Sequence, residues 1–297
     1  MENQDTFSTY NPIINFVFFI GAIVFGMFFV HPGFLIASVI LSMTYYLTVK
    51  GVRALKLITG MIPVFLVLSA INPLFNTYGE RVLFTYFNRP YTLEALYYGM
   101  ALAAMFVSII MWFASYNSVM TSDKFLYIFG KAAPSISLVL SMVLRFMPNY
   151  ERRVKQISGA RKCIGKAGAS GTRREKIQNS MIILSSLTTW AFEGGIITAD
   201  SMGSRGYGSG KRTTFSIYRF DTRDITLLGI MSFLIAVVLW CGIMGGAKVT
   251  YTPKLMIRGL DNLYSILGII SYGLFLMIPT ILNIREAVKW HILKSKI

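Results

Sequence analysis

"LVLSMVLRFMPNYERRVKQISGARK", Leu138 to Lys162, begins as an apolar text and ends as a basic one. Leu138, Val139, Met142, Val143 and Phe146 recur at helical spacing, so the first half carries an apolar face. Past Pro148 the stripe resumes with Val154, Ile157 and Ile164, and Arg161 falls in register with it. Pro134 is tolerated best at the first turn of a helix, so one long helix is expected from Pro134 to about Gly165. An arginine on such a stripe fits a face that docks on something offering both apolar surface and a carboxylate.

Downstream, a second long helix is expected from about Arg173 to Gly206. Gly195, Ala199, Met202 and Gly206 follow at steps of four, three and four, a ridge of mostly small residues on which another helix could cross closely. It runs into "ADSMGSRGYGSGKRTTF", Ala199 to Phe215, where Arg205 stands in the last turn. A cation there gains about 0.3 to 1 kcal/mol from the helix dipole, and the glycines that follow end the helix. A helix-end or lipid-headgroup contact explains one such arginine equally well. It does not explain two similar ends.

The rest of the chain says where these helices live. Of 297 residues 54% are hydrophobic and 14% charged, with a mean hydropathy of +0.57, more apolar surface than one soluble core would bury. Six runs approach the roughly 20 residues needed to cross hydrocarbon: Ile13 to Val30, Phe34 to Val49, Leu57 to Phe75, Ala95 to Ser115, Ile225 to Ala247 and Ser265 to Ile284. Only "HPG", His31 to Gly33, joins the first two, so a tight hairpin is expected. The fold class is therefore all-α, a polytopic membrane protein of about six spans plus the two long helices. Its expected parts are residues 1–115 with about four spans, a region 116–224 with the two long helices, and residues 225–297 with about two spans.

Lys and Arg number 29 against 13 Asp and Glu. Between Glu151 and Asp224 there are 14 of the former and 6 of the latter, so this quarter carries +8 of the +16 total. In a membrane protein such an excess marks the cytoplasmic side, and nucleic-acid binding is a poor reading of it. Four spans before and two after then put both termini inside, with "KGVRALK" and the C-terminal "KWHILKSKI" in agreement. The apolar stretches Ser135 to Met147 and Met181 to Thr198 are short and rich in Ser and Thr; if both cross, the parity is unchanged. No basic leader or A-x-A site surrounds the first run, so a cleaved signal peptide is not expected. Cys163 and Cys241 form no CxxC and have no neighbouring His, which predicts free thiols and no metal.

"GYGSGKRTT" invites comparison with the P-loop G-x-x-x-x-G-K-[ST], and fails it. Counting back from Gly210 and Lys211, residue 205 is Arg where Gly is needed, and Arg212 stands where Ser or Thr would hold magnesium. Any nucleotide hydrolysis belongs to another protein.

Taken together, Leu138 to Lys162 and Ala199 to Phe215 resemble the transmembrane T component of energy-coupling factor (ECF) transporters, the EcfT/CbiQ family. That family carries an "RF-hydrophobic-P" segment and two Ala-Arg-Gly motifs at the ends of two long coupling helices. Arg145, Phe146 and Pro148 match the first segment. Ala160 and Arg161 match one motif with Lys162 replacing its Gly; Ser204, Arg205 and Gly206 match the other with Ser replacing Ala. The resemblance implies that both arginines enter grooves of two ABC-type P-loop ATPase subunits, which bind ATP and Mg, while this chain has no cofactor and no catalytic role. It also implies a membrane-embedded substrate-binding S component, uptake of a vitamin or transition-metal ion, and the plasma membrane of a prokaryote. A guanidinium suits the coupling task as a rigid, always-charged fork for a carboxylate.

Arg145 carries two readings: snorkelling or pairing with a carbonyl at the Pro148 kink, or orienting the first coupling helix. Glu193 either pairs with an arginine of the first helix or faces water. The 16 Met and the Phe-rich first span read as lipid-facing packing before they read as a ligand box. Among rival classes, a lipid-alcohol phosphotransferase needs paired acids that "SGARKCIG" lacks. A channel or secondary transporter would show ionisable residues or symmetric breaks at mid-membrane, where only Pro63 and Pro279 interrupt. A non-catalytic scaffold differs from a T component only in its partners.

Overall fold

The computed structural model describes residues 5–77, 79, 81–86, 89–165, 172–210, 218, 220–251, 256–257 and 262–294. The chain is an all-α polytopic membrane protein. Its apolar helices are α1 (Pro12–Phe28), α2 (Pro32–Lys50), α3 (Ala54–Phe75), α4 (Leu93–Val119), α8 (Thr222–Cys241) and α9 (Leu263–Lys294). Between α4 and α8 lie α5 (Ser122–Ala132), α6 (Pro134–Cys163) and α7 (Arg173–Ser204). Among the described residues five stretches are long and apolar enough to cross a membrane: Pro32–Phe75, Leu93–Val119, Arg173–Ser204, Thr222–Gly246 and Leu263–Lys294. Pro12–Phe28 is a shorter apolar helix. α7 thus qualifies by length and composition, although none of its residues is buried.

The hairpin between α1 and α2 follows from its three letters. The His31 ring accepts a hydrogen bond from the Gly33 amide at 3.1 Å, satisfying one of the free N–H groups at the start of α2, and Pro32 supplies a first residue that has no N–H to lose. α2 and α3 are separated only by a single turn of 3-10 helix, Gly51–Arg53, inside "KGVRALK". Two short antiparallel hairpins interrupt the helices: β1 (Val82–Tyr86) with β2 (Arg89–Thr92), and β3 (Val249–Thr250) with β4 (Met256–Ile257). β2 runs directly into α4, whose first turn is capped by the Thr92 hydroxyl on the Ala95 amide.

The chain divides into two compact units, one of residues 1–125 with 218–297 and one of residues 126–217. In the first, α4 packs on α1, α2 and α3, and α9 packs on α2 and α8. Its core is aromatic: Phe7, Phe18, Phe19, Tyr45, Trp112, Tyr272 and Phe275 are all at most 1% exposed. Trp112 stacks on Tyr45 with centroids 6.1 Å apart and meets Phe18 edge-on at 5.5 Å, while its indole N–H donates to the Ser38 hydroxyl at 3.1 Å. The phenylalanines of the first span therefore include inward-facing ones, Phe18, Phe19 and Phe25, contrary to the lipid-facing expectation. A span that is apolar on every side shows no inner face in its sequence.

One end of this core is polar. The Asp5 carboxylate accepts from the Tyr45 hydroxyl at 3.0 Å and from the Asn283 amide at 2.6 Å, and the Lys124 ammonium donates to the carbonyls of Ser8 at 2.6 Å and Val119 at 2.9 Å. These bonds tie the segment before α1 to α2, α9 and the start of α5. Burial raises the Asp5 carboxyl above its ordinary range despite its two donors, and burial lowers Lys124 to about 8 against the opposing pull of Asp5. Both cysteines are free thiols, Cys163 exposed and Cys241 buried.

Candidate coupling site on two arginine-bearing helix ends

α6 and α7 form the body of the second unit, and the chain's punctuation sets their ends. α6 opens on Pro134 as expected and continues through Pro148, which has no N–H to return to the preceding turn. α7 opens on a capping box: the Thr172 side chain serves the Glu175 amide, and the Glu175 carboxylate accepts from the Thr172 N–H at 2.9 Å. The two helices meet along an antiparallel seam. Tyr150 and Trp190 touch edge-to-face at 5.5 Å, the Arg153 guanidinium lies 5.3 Å from the Trp190 ring centre, and Arg161 Nη2 donates to Asn179 Oδ1 at 2.6 Å.

The helices end differently because their motifs differ. In α7, Arg205 is the capping residue itself and Gly206 follows at φ +74°. The Tyr207 amide donates to the Met202 carbonyl at 3.0 Å and the Gly206 amide to Gly203 at 2.9 Å, the paired bonds of a Schellman ending. In α6, Lys162 replaces the motif's glycine, so the helix continues past Arg161 to Cys163 and the left-handed residue becomes Gly165, φ +77°. Arg161 is therefore inside its last turn and half-buried against α7, whereas Arg205 stands at an exposed end. Ala160 is exposed beside Arg161, and Ser204 hydrogen-bonds back to the Asp200 carbonyl at 2.9 Å.

The remaining expected residues fall outside the seam. Gly195 and Ala199 are exposed, and a methyl group added at Gly195 would meet nothing within 4 Å. The contacts across the α6–α7 seam lie between residues 150–161 and 179–190, where Tyr150 meets Trp190 and Arg161 meets Asn179, and not at Gly195 of the small-residue ridge. Arg145 is exposed, and Phe146 leans on Tyr150 at 6.4 Å. The carbonyl at Pro148 is taken by Arg152 Nε at 3.3 Å and not by Arg145. Glu193 is exposed, and the ion pair among the described residues joins Arg223 to Asp221, at 3.4 Å. Lys211 and Arg212 of the glycine-rich segment lie outside the described residues. Asn179 and Trp190 are the partners that sequence reading missed. Their signal is positional: 161 and 179 lie nine residues to either side of position 170, and 150 and 190 lie twenty to either side, the mirror register of a helical hairpin.

Over 263 aligned positions the chain is 25% identical to the energy-coupling factor transporter transmembrane protein EcfT of Staphylococcus aureus (strain 04-02981), covering 81% of this chain and 97% of that protein. Along most of its length the chain is thus similar to a transmembrane protein of an energy-coupling factor transporter. Shorter matches agree: 32% identity over 106 residues with EcfT of Listeria innocua, covering 35% of this chain and 40% of that one, and 30% over 114 residues with EcfT of Streptococcus equi subsp. equi, covering 38% and 42%. No protein-family model matches the chain. In this EcfT-like chain α6 and α7 bury no residue, and α7 leaves Ile177, Met181, Leu184, Phe192, Ile196 and Ile197 exposed. Apolar faces of that extent mark surfaces meant to be covered by lipid or protein.

Proposed function

We propose that this chain is the transmembrane coupling subunit of an ECF-type ABC importer. It transmits motion from two cytoplasmic P-loop ATPases, which bind ATP and Mg, to a membrane-embedded S component that recognises a vitamin or a transition-metal ion. On this reading the protein is a non-catalytic, multi-pass component of a prokaryotic plasma membrane, with its termini and the region carrying α6 and α7 on the cytoplasmic side. It carries no cofactor and binds no nucleic acid. The observation that supports it best is Arg205: a permanently charged fork at the exposed, glycine-terminated end of a 32-residue helix. Seated in a partner's groove opposite a carboxylate, it would turn opening and closing of the ATPase pair into displacement of α7.

Removing one member of a desolvated charge pair costs about 2 to 5 kcal/mol, largely for the charge left alone. Arg205→Ala, co-expressed with the ABC ATPase pair and S component of the same genome, is expected to lose uptake and to retain less ATPase on purification. Wild-type uptake with wild-type ATPase retention would refute the proposal.

A further inference from the structure

We propose that Asn179 is a positioning residue that presents Arg161 to the ATPase with its charge unspent; this rests on the coupling role proposed above. Three observations meet at this point. Arg161 Nη2 donates to Asn179 Oδ1 at 2.6 Å, across the seam from α6 to α7. Both residues are half-buried, so the guanidinium is fixed and does not sweep through solvent. Its Nε is buried without an acceptor among the described residues, so the Asn179 oxygen is the acceptor that fixes the guanidinium there.

The chemistry of residue 179 separates orientation from neutralisation. An amide oxygen accepts one N–H and leaves the full positive charge, where an aspartate at the same place would hold the guanidinium and cancel it. Arg161 therefore arrives at its partner pre-aligned, with the guanidinium N–H groups that Asn179 does not take left to bind it. Among the described residues Arg205 has no such holder: it caps α7 in the open. One arginine is set before assembly and the other is ordered by it, which predicts different responses when a single neighbour is changed.

The test uses the full-length protein in detergent with its purified ATPase pair, measuring binding affinity and thermal stability together. Arg161→Ala is expected to weaken binding by at least ~30-fold. Asn179→Ala is expected to weaken it by roughly 5- to 10-fold, the range of one ordinary hydrogen bond. The double variant Arg161→Ala/Asn179→Ala is expected to bind like Arg161→Ala alone. Asn179→Asp decides between positioning and simple helix pairing: it keeps an acceptor for Arg161, so thermal stability is retained, yet it pairs the charge, so ATPase binding falls by ~10-fold or more. If Asn179→Asp binds as wild type, or the Asn179→Ala and Arg161→Ala effects add, the inference is overturned while the coupling proposal stands. If neither wild type nor Arg161→Ala binds the ATPase pair, both are overturned.

Discussion

The first unit closes its aromatic rings around a single tryptophan and ties its polar end with a network of buried hydrogen bonds, whereas α6 and α7 run for 30 and 32 residues without one buried side chain. Residue types do not account for the contrast. Phe, Ile, Leu and Met occur on both sides of it, inside the bundle as Phe18, Leu276 and Met231, and exposed on the pair as Phe192, Leu184 and Met181. What differs is the number of neighbours a helix has. A bundle helix meets two to four others and can enclose its side chains; a two-helix hairpin has one seam, and its side chains stay unburied. The bundle is built to stand, and the pair is built to be covered.

That contrast can be broken most forcefully at Trp112. Trp112→Ala opens a cavity at the centre of the bundle and strips the Ser38 hydroxyl of its indole donor, so a loss of about 3 to 5 kcal/mol is expected in a reversible unfolding titration in detergent. A midpoint unchanged from wild type would mean that the aromatic core does not carry the bundle.

The same substitution made once in each unit sharpens the comparison. At Gly99 an added methyl would sit 2.7 Å from the Ser69 carbonyl oxygen and 2.9 Å from Asn72 Cβ, where α4 and α3 press together. Gly99→Ala is expected to cost about 1 to 3 kcal/mol through that clash. Gly195→Ala meets open space and should leave the isolated protein as stable or more so by about 0.5 to 1 kcal/mol, since alanine is the better helix former. Equal effects at the two positions would erase the distinction between the units.

The smallest expected effect is electrostatic. Lys124 loses its proton near pH 8 in the folded protein and near its ordinary 10.5 when unfolded, so between these values the unfolded chain binds more protons and stability rises with pH. The slope comes nearest to the ~1.4 kcal/mol per pH unit of one displaced proton midway between the two values and falls away on either side. Lys124→Met should remove this contribution: melting of wild type and variant at pH 7.5, 9 and 10.5 ought to diverge, with the rise confined to wild type.

Punctuation made much of this architecture readable. Pro134 and the glycines at 165 and 206 mark helix ends because one residue cannot continue a helix backward and the other tolerates the left-handed turn that closes it. "HPG" could only be a hairpin, and the apolar runs could only be helices. Orientation was harder. In α1 nearly every residue is apolar, so nothing in the order of letters says that Phe18 and Phe19 turn inward. The partners of the candidate site were hidden for another reason: Asn179 lies 18 positions beyond Arg161, and only the hairpin's register brings them together. The ridge through Gly195 and Ala199 is a pattern that permits a close crossing, and among the described residues nothing lies within 4 Å of a methyl added at Gly195.

The seam at Trp190 leaves a free arm. From there to Arg205 α7 extends 15 residues, about 22 Å at ~1.5 Å per residue, with Phe192, Ile196 and Ile197 exposed along it. A rod of that length magnifies rotation: a tilt of ~10° about the seam would carry its tip through ~4 Å, about three-quarters of a helical turn. Small angular changes at the root and useful linear travel at the tip are then the same event, and the position of one tryptophan sets the gearing between them.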